Sequence, residues 1–167
     1  LTPDVVRRFV LCAVDSGASR VRATDPLNDP EALLPVATAC EEASAEFVPT
    51  LIVGPAPGPG DERWVAEAVA LAGLPGAATI CVSDGAGHIA PAALGSLVSA
   101  VADATGLPVE VQVQAPGGLA PLAATAAVLA GASAVQASAG PVALVSARPS
   151  AETLRAALIG GARHFDC

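Results

Sequence analysis

The chain has 167 residues, a net charge of −8 and a hydrophobic share of 53%, which together fit one domain with a sizeable core. All eight of its basic residues are arginines. So acidic a chain, with only 2% aromatic residues, is unsuited to nucleic acid or to an anionic membrane surface.

Apolar periodicity and turn residues predict helices and strands in alternation along the chain. The predicted helices are 2–17, 29–45, 62–72, 91–106, 118–130 and 150–159. The predicted strands are 20–23, 48–53, 78–82, 109–113 and 133–137. Residues 54–60 are Gly and Pro only, apart from Ala56, and cannot be helical, and Asp61 is the predicted cap of the helix that follows. Strands that are each followed by a helix indicate a parallel sheet with right-handed crossovers. Periodicity alone leaves both an open sheet and a closed barrel possible.

A segment without any charged residue runs from Val111 to Ala147. It contains three glutamines and several Gly and Pro residues, and alanine dominates its apolar content. No block of about 20 strongly apolar residues remains, so we expect no membrane span.

The four cysteines are scattered, without a C-x-x-C pair. Cys12 and Cys40 fall in predicted helices and Cys81 in an apolar strand, so we expect buried free thiols. Free thiols and the absence of a charged-then-apolar leader favour a reducing cytoplasm.

Three segments carry a pattern that extends over nearly the whole chain. The first is V-V-R-R-F-V at 5–10 with R-A-T-D-P-L-N-D at 22–29, and the second is I-C-V-S-D-G-A-G-H-I-A-P at 80–91. The third begins with G-L-P-V at 106–109, continues through G-G-L-A at 117–120 and A-G-A at 130–132, and ends with R-P-S at 148–150. In this order and spacing they resemble the carboxyltransferase domain of pyruvate carboxylase, oxaloacetate decarboxylase and transcarboxylase. These enzymes are (β/α)8 barrels of the DRE-TIM metallolyase superfamily.

The resemblance implies an α/β fold of the TIM-barrel family. Residues 1–167 then form a single, truncated barrel domain of about five βα units, corresponding to strands 3 to 7 of the family. Five strands do not close an eight-stranded barrel, so exposed edges are expected.

The resemblance also implies a divalent metal, which is Zn, Mn or Co in the family. A carbamylated lysine, two strand histidines and an aspartate hold it there. Ser83 stands at the lysine position, and Gln112 and Gln114 stand at the histidine positions. The aspartate has no counterpart. We therefore predict no metal ligand and no cofactor of the chain's own. The family's biotin is carried on a partner domain, and a chain without lysine offers it no attachment point.

Other family positions keep their chemistry. Ser146 matches the threonine that moves a proton between pyruvate and biotin, which makes it the predicted catalytic residue. Arg22, Asp25 and Asp84, with Gln112 and Gln114, are the predicted substrate-binding residues. Simpler readings remain open. Arg22 and Asp25 could be an ion pair, Asp84 a turn residue, and the two glutamines could hydrogen-bond within the barrel.

Three functions are left open by the sequence. The favoured one is a degenerate carboxyltransferase-like domain, a pseudoenzyme that acts as a structural or interaction unit or is an enzyme fragment. The second is an active carboxyltransferase or oxaloacetate decarboxylase component completed by another subunit. The third is a module that binds a small 2-oxo acid. The expected partners are a second copy of the chain, or biotin-carrier and carboxylase subunits, and neither nucleic acid nor a membrane.

Overall fold

A computed structural model of the chain describes residues 2–54, 62–115 and 117–158. The strands are β1 (Arg20–Thr24), β2 (Glu46–Ile52), β3 (Ile80–Asp84), β4 (Val109–Val113) and β5 (Ala134–Gln136). The α-helices are α1 (Pro3–Asp15), α2 (Pro30–Glu42), α3 (Glu62–Ala72), α4 (Pro91–Thr105), α5 (Ala120–Leu129) and α6 (Ala151–Leu158). A short 3-10 helix spans Gly140–Leu144.

Helix ends follow local chemistry that can be read from the sequence. The Asp29 carboxylate accepts a hydrogen bond from the Glu31 amide at 2.9 Å at the start of α2, and the Ser150 hydroxyl accepts one from Thr153 at 3.1 Å at the start of α6. Side-chain oxygens in this position satisfy amides that have no partner within the helix. Gly106, with φ of 66°, ends α4 in the left-handed conformation that glycine adopts without strain.

The predicted alternation of strands and helices is confirmed, with shifted boundaries. The predicted third strand began at residue 78, whereas β3 begins at Ile80. Helix α2 was predicted to reach Ala45 but ends at Glu42, because Ser44 adopts a φ of 55° and turns the chain toward β2. The 3-10 helix was not predicted. Most of the predicted Gly and Pro loop, together with the cap at Asp61 and the end of the last helix at 159, lies outside the described residues.

The five strands form one parallel sheet in the order β1-β2-β3-β4-β5. Each strand pairs in parallel with the next strand in the chain, and crossovers between such strands are right-handed. All the connecting helices therefore lie on the same side of the sheet. The hydrophobic core lies on that side. Its strand residues are Phe47, Leu51, Ile80, Val82, Val109, Val111 and Val113, and Val53 follows directly after β2.

The alternate strand positions form the opposite face, which we call the concave face. The strand registers place residues 20, 22, 24, 46, 48, 50, 52, 81, 83, 110, 112, 134 and 136 on it. Residues 79 and 114 continue the same alternation just outside β3 and β4. The guanidinium of Arg20 on β1 forms an ion pair with Glu110 on β4. Three strand spacings of about 4.8 Å would separate these strands by about 14 Å in a flat sheet. Direct contact between the two side chains therefore requires strong curvature, like that of a barrel wall.

Burial of the cysteines only partly follows the prediction. Cys40 and Cys81 are buried free thiols, and burial raises the pKa of each. Cys12 is exposed, so the prediction was wrong for this residue. Cys12 is part of the apolar pattern of α1, but the buried residue of that helix is Val10, and Cys12 is on the exposed side.

Within the described residues, no helix has the length and apolarity needed to cross a bilayer.

Candidate functional site

Of the predicted site residues on the strands, Arg22 and Gln112 lie on the concave face, whereas Asp84, the last residue of β3, lies on the core side. Ser83 on β3 is the register partner of Gln112 on β4, and Gln112 is in turn the partner of Gln136 on β5. Gln114 follows two residues later on the same side as Gln112. Gln136 was not among the predicted site residues, although the strand alternation from Ser133 could have placed it there.

The end of the concave face where the strands begin, which we call the lower end, is an ionic network. Arg20 contacts both oxygens of the Glu46 carboxylate, at 3.0 and 3.1 Å, and also pairs with Glu110. The Thr79 hydroxyl donates to Glu46 at 2.9 Å. Although burial acts against the charged form, hydrogen bonds to Glu110 and Glu46 raise the pKa of Arg20 above its ordinary value. Each charged group here has an opposite partner.

Arg22 lies one layer higher on the same strand, in a different environment. Its guanidinium lies 3.6 Å from the Cys81 sulfur, and no carboxylate of a described residue pairs with it. Burial raises the pKa of the Cys81 thiol, while the charge of Arg22 acts in the opposite direction. The buried Thr50 hydroxyl lies beside the same sulfur and has no oxygen or nitrogen partner among the described residues.

The upper end of the concave face, where the strands end, is polar and uncharged. Ser83 is buried, whereas Gln112 and Gln114 are half-buried. Hydrogen bonds within the barrel were one expectation for the two glutamines. No described residue hydrogen-bonds to either side-chain amide or to the Ser83 hydroxyl, so these groups are available to a ligand.

The two predicted aspartates instead organise loops. Asp25, just after β1, accepts hydrogen bonds from the amides of Leu27 and Asp29 at 2.8 and 3.1 Å. It forms no ion pair with Arg22 in the described chain. The buried Asp84 carboxylate accepts hydrogen bonds from three amides of the loop after β3, those of residues 86, 88 and 89, at 3.0 to 3.3 Å. Both carboxylates therefore act as turn residues, and their predicted substrate contacts remain predictions.

Ser146 lies on the loop between β5 and α6. Its hydroxyl is 2.8 Å from that of Ser138, a neighbour that the sequence reasoning missed. The next residue, Ala147, has a φ of 54°, unusual for a residue other than glycine, and its carbonyl accepts the Ala115 amide at 2.9 Å. This bond fixes the Ser146 loop next to the end of β4, where Gln114 lies.

The donor atoms at the three family metal positions do not fit a Zn or Mn ion. Ser83, Gln112 and Gln114 provide a hydroxyl and two amides, whereas Zn is bound by thiolate, imidazole or carboxylate. For Mn, which prefers oxygen ligands, three neutral groups without a carboxylate are a weak donor set. Nor do three His, Cys, Asp or Glu residues gather anywhere in the described chain as a group that could hold a metal. The concave face also carries the Arg22 guanidinium, which favours an anion.

The five-stranded parallel sheet, its single layer of helices and its strong curvature define a partial (β/α)8 barrel. Comparison with solved structures agrees. The carboxyl transferase domain of Rhizobium etli pyruvate carboxylase with pyruvate and biocytin superimposes with a TM-score of 0.89 at 29% identity, covering 96% of this chain and 28% of that chain. The same domain with oxamate and biotin gives equal values.

Similarity is also detectable at the level of sequence, to a pyruvate carboxylase subunit from Methanocaldococcus jannaschii. That relative is 28% identical over 157 residues, which are 94% of this chain and 28% of the relative. No protein-family profile matches the sequence. The chain is thus similar, over nearly its whole length, to part of the carboxyltransferase domain of pyruvate carboxylase, and it spans little more than a quarter of the relatives it matches.

Proposed function

We propose that this chain is a degenerate carboxyltransferase-like domain that does not carry out metal-dependent carboxyl transfer and instead acts as an interaction unit. The observation that carries the proposal is the donor set of Ser83, Gln112 and Gln114. In the enzymes that the sequence resembles, carboxyl transfer uses a metal to stabilise developing negative charge. Neutral amides and a hydroxyl at the three positions supply neither metal ligands nor a positive charge that could stabilise the developing negative charge.

Two further aspects belong to the same proposal. The proposed partners are biotin-carrier and carboxylase subunits, because the relatives are pyruvate carboxylases. The proposed compartment is the reducing cytoplasm, which agrees with Cys40 and Cys81 being free thiols.

Cobalt binding tests the metal part of the proposal directly. Titration of the purified chain with Co²⁺, followed by visible absorption, is expected to give no saturating signal. The double variant Gln112→His/Gln114→His restores two imidazoles on the same strand face and is expected to bind Co²⁺ at least about tenfold more tightly. Gln112→Asn/Gln114→Asn is the matched control, because it changes the same positions without adding a metal ligand.

Oxaloacetate decarboxylation provides the catalytic test. The wild-type chain is expected to match the uncatalysed rate in the presence of Zn²⁺ or Mn²⁺. Stoichiometric Co²⁺ binding by the wild type, or turnover that Gln112→Ala/Gln114→Ala abolishes, would refute the proposal. Turnover that arises only when carboxylase and carrier subunits are added would favour an active component completed in trans.

A second candidate function, the binding of a small 2-oxo acid, is favoured by one specific observation. The Arg22 guanidinium lies 3.6 Å from the sulfur of Cys81, whose other neighbour is the buried Thr50 hydroxyl, and it has no carboxylate partner among the described residues. A guanidinium in this setting is suited to a ligand carboxylate. The amides of Gln112 and Gln114 are available for the oxygens of the same ligand.

Ligand-induced stabilisation distinguishes this candidate from the first. If a 2-oxo acid binds, pyruvate or oxamate at about 100 times the dissociation constant stabilises the fold by about 2.7 kcal/mol. Arg22→Gln is expected to abolish this shift. Arg7→Gln, which removes an exposed pair with Glu42 on the opposite side of the sheet, is the control and is expected to retain it. No shift with any 2-oxo acid would eliminate this candidate.

A further inference from the structure

Helix α5 differs from the other five α-helices of the described chain in its charge. Each of the others has at least one charged residue, such as Arg7 on α1, Glu67 on α3 or Asp103 on α4. Helix α5 has none, and it lies inside the charge-free segment from Val111 to Ala147. A helix that is apolar on every side is normally buried on every side.

The distribution of side chains on α5 is the reverse of that on an ordinary surface helix. Its buried side consists of small residues, namely Ala120, Ala123, Ala124, Ala127 and Val128. Its large residues point outward. Leu122 is 60% exposed and Leu129 is 73% exposed, and Leu119, directly before the helix, is 46% exposed.

These leucines form one continuous stripe. Leu122 and Leu129 are seven residues apart, which is about two helical turns or 10.5 Å along one side of the helix. The half-buried Thr125 and Ala126 lie between them. We call residues 119, 122, 125, 126 and 129 the α5 stripe. Aligned exposed leucines on a helix that itself has no charged residue are typical of a protein–protein contact.

We propose that the α5 stripe is the contact between two copies of this chain. Two chains that each have a net charge of −8 repel one another wherever acidic surfaces meet. The stripe is a place where identical chains can meet without opposing like charges. It also needs no complementary partner sequence, since a two-fold axis brings the same patch of both chains together. This inference is independent of whether the domain is catalytic.

The spacing of the leucines defines how the two helices lie. With a two-fold axis midway between Leu122 and Leu129, the helices are antiparallel, and Leu122 of each copy packs against Leu129 of the other. Thr125 and Ala126 then lie at the axis. A single helix pair is smaller than a standard interface of about 1,600 Å², so the dimer is expected to be in equilibrium with monomer.

Sedimentation velocity over about a hundredfold range of concentration tests the proposal. The full chain is expected to shift from monomer to dimer within this range. Leu122→Glu/Leu129→Glu is expected to weaken dimerisation at least about a hundredfold, because it replaces buried apolar contacts with four carboxylates around one axis. Val5→Glu/Phe9→Glu is the matched control. These α1 residues are also exposed and one turn apart, and the equilibrium is expected to be unchanged.

Cross-linking tests the antiparallel arrangement separately. Oxidation of the Thr125→Cys variant is expected to give a disulfide between the two introduced thiols, identified by peptide mass mapping. Leu119→Cys is the control, because the two copies of this position lie about 20 Å apart in the antiparallel pair, beyond the limit of about 7 Å between Cα atoms.

Three outcomes would overturn the proposal: a wild-type chain that stays monomeric at every concentration, a glutamate stripe variant that dimerises as the wild type does, or a dimer that the α1 control abolishes. Circular dichroism of each variant establishes that its fold is intact.

Discussion

The two ends of the concave face are both polar, but the lower end is charged and internally paired, whereas the upper end is uncharged and unpaired among the described residues. At the lower end, Arg20, Glu46 and Glu110 neutralise one another, and Thr79 adds a hydrogen bond. At the upper end, neither Gln112 nor Gln114 has a side-chain hydrogen bond to a described residue. Side chains that pair with one another stabilise the curved sheet, whereas side chains without a hydrogen-bond partner among the described residues are available to a ligand. The lower end of this face therefore has a structural role, and the upper end is the part that is available to bind a ligand.

The largest effect is expected at the lower end, for Arg20→Ala. The substitution leaves Glu110, whose side chain is 8% exposed, buried without its cation. Loss of one partner from a buried pair costs about 3 kcal/mol in the free energy of unfolding, measured by urea denaturation. Arg7→Ala breaks an exposed pair with Glu42 and should cost less than about 1 kcal/mol. Equal losses for the two variants would contradict the structural role of the lower end.

A second large effect is expected for Asp84→Ala. Three loop amides lose their acceptor, and hydrogen bonds to a charged group are worth about 1.5 to 3 kcal/mol each. Part of this is recovered when water reaches the opened loop, so a net loss of about 3 kcal/mol is expected by urea denaturation. Asp84→Asn keeps one acceptor oxygen and should cost clearly less. A fully stable alanine variant would show that the carboxylate is available for substrate after all.

The upper end is expected to tolerate change. Gln112→Ala and Gln114→Ala remove half-buried amides that bond to no described residue, so each should change the free energy of unfolding by about 0.5 kcal/mol or less. The same denaturation experiment measures this. A loss as large as that of Arg20→Ala would show that the glutamines are part of the framework and would erase the contrast between the two ends.

The smallest effect is expected for protonation of Glu152. Its carboxylate accepts a hydrogen bond from the Gly140 amide and so holds the loop that contains Ser146. Hydrogen bonds from Ser150 and from the Gly140 amide lower the pKa of Glu152 to about 2. Because the folded pKa lies below the ordinary value of 4.5, the carboxylate contributes stability above pH 4.5, and this contribution is lost as the pH falls through about 2.

The Gly140 amide resonance reports this titration by NMR. It should remain constant from neutral pH to about pH 4 and then shift with a midpoint near pH 2. Glu152→Gln should remove the titration. A midpoint near the ordinary glutamate value would mean that the loop is not held by this carboxylate.

Much of the fold could be predicted from the sequence, because strand and helix periodicities are local properties. Alternation along β4 placed Gln112 and Gln114 on one face with Glu110 below them, and the structure confirms that arrangement. Ser83 was placed by its motif, and in the structure it is the register partner of Gln112.

Side-chain partners were harder to predict, since they depend on curvature. The proximity of Arg22 and Asp25 in sequence suggested an ion pair, but Arg22 reaches across the sheet to Cys81 and Asp25 turns back to its own loop. The contact between Arg20 and Glu110 joins strands that are not neighbours in the sheet, and no local pattern reports it. Ser138 could not be predicted as a neighbour of Ser146, because the contact of their hydroxyls depends on the path of the loop between them.

The contact between Arg20 and Glu110 also has a consequence for how the chain folds. Neighbouring strands in this sheet are consecutive in the chain, so each βα unit can dock on the previous one soon after it forms. The arginine–glutamate pair instead needs four strands in place, and it closes a long loop at a considerable cost in chain entropy. We therefore expect the sheet to bend late in folding, and substitutions at Arg20 to accelerate unfolding more than they slow folding.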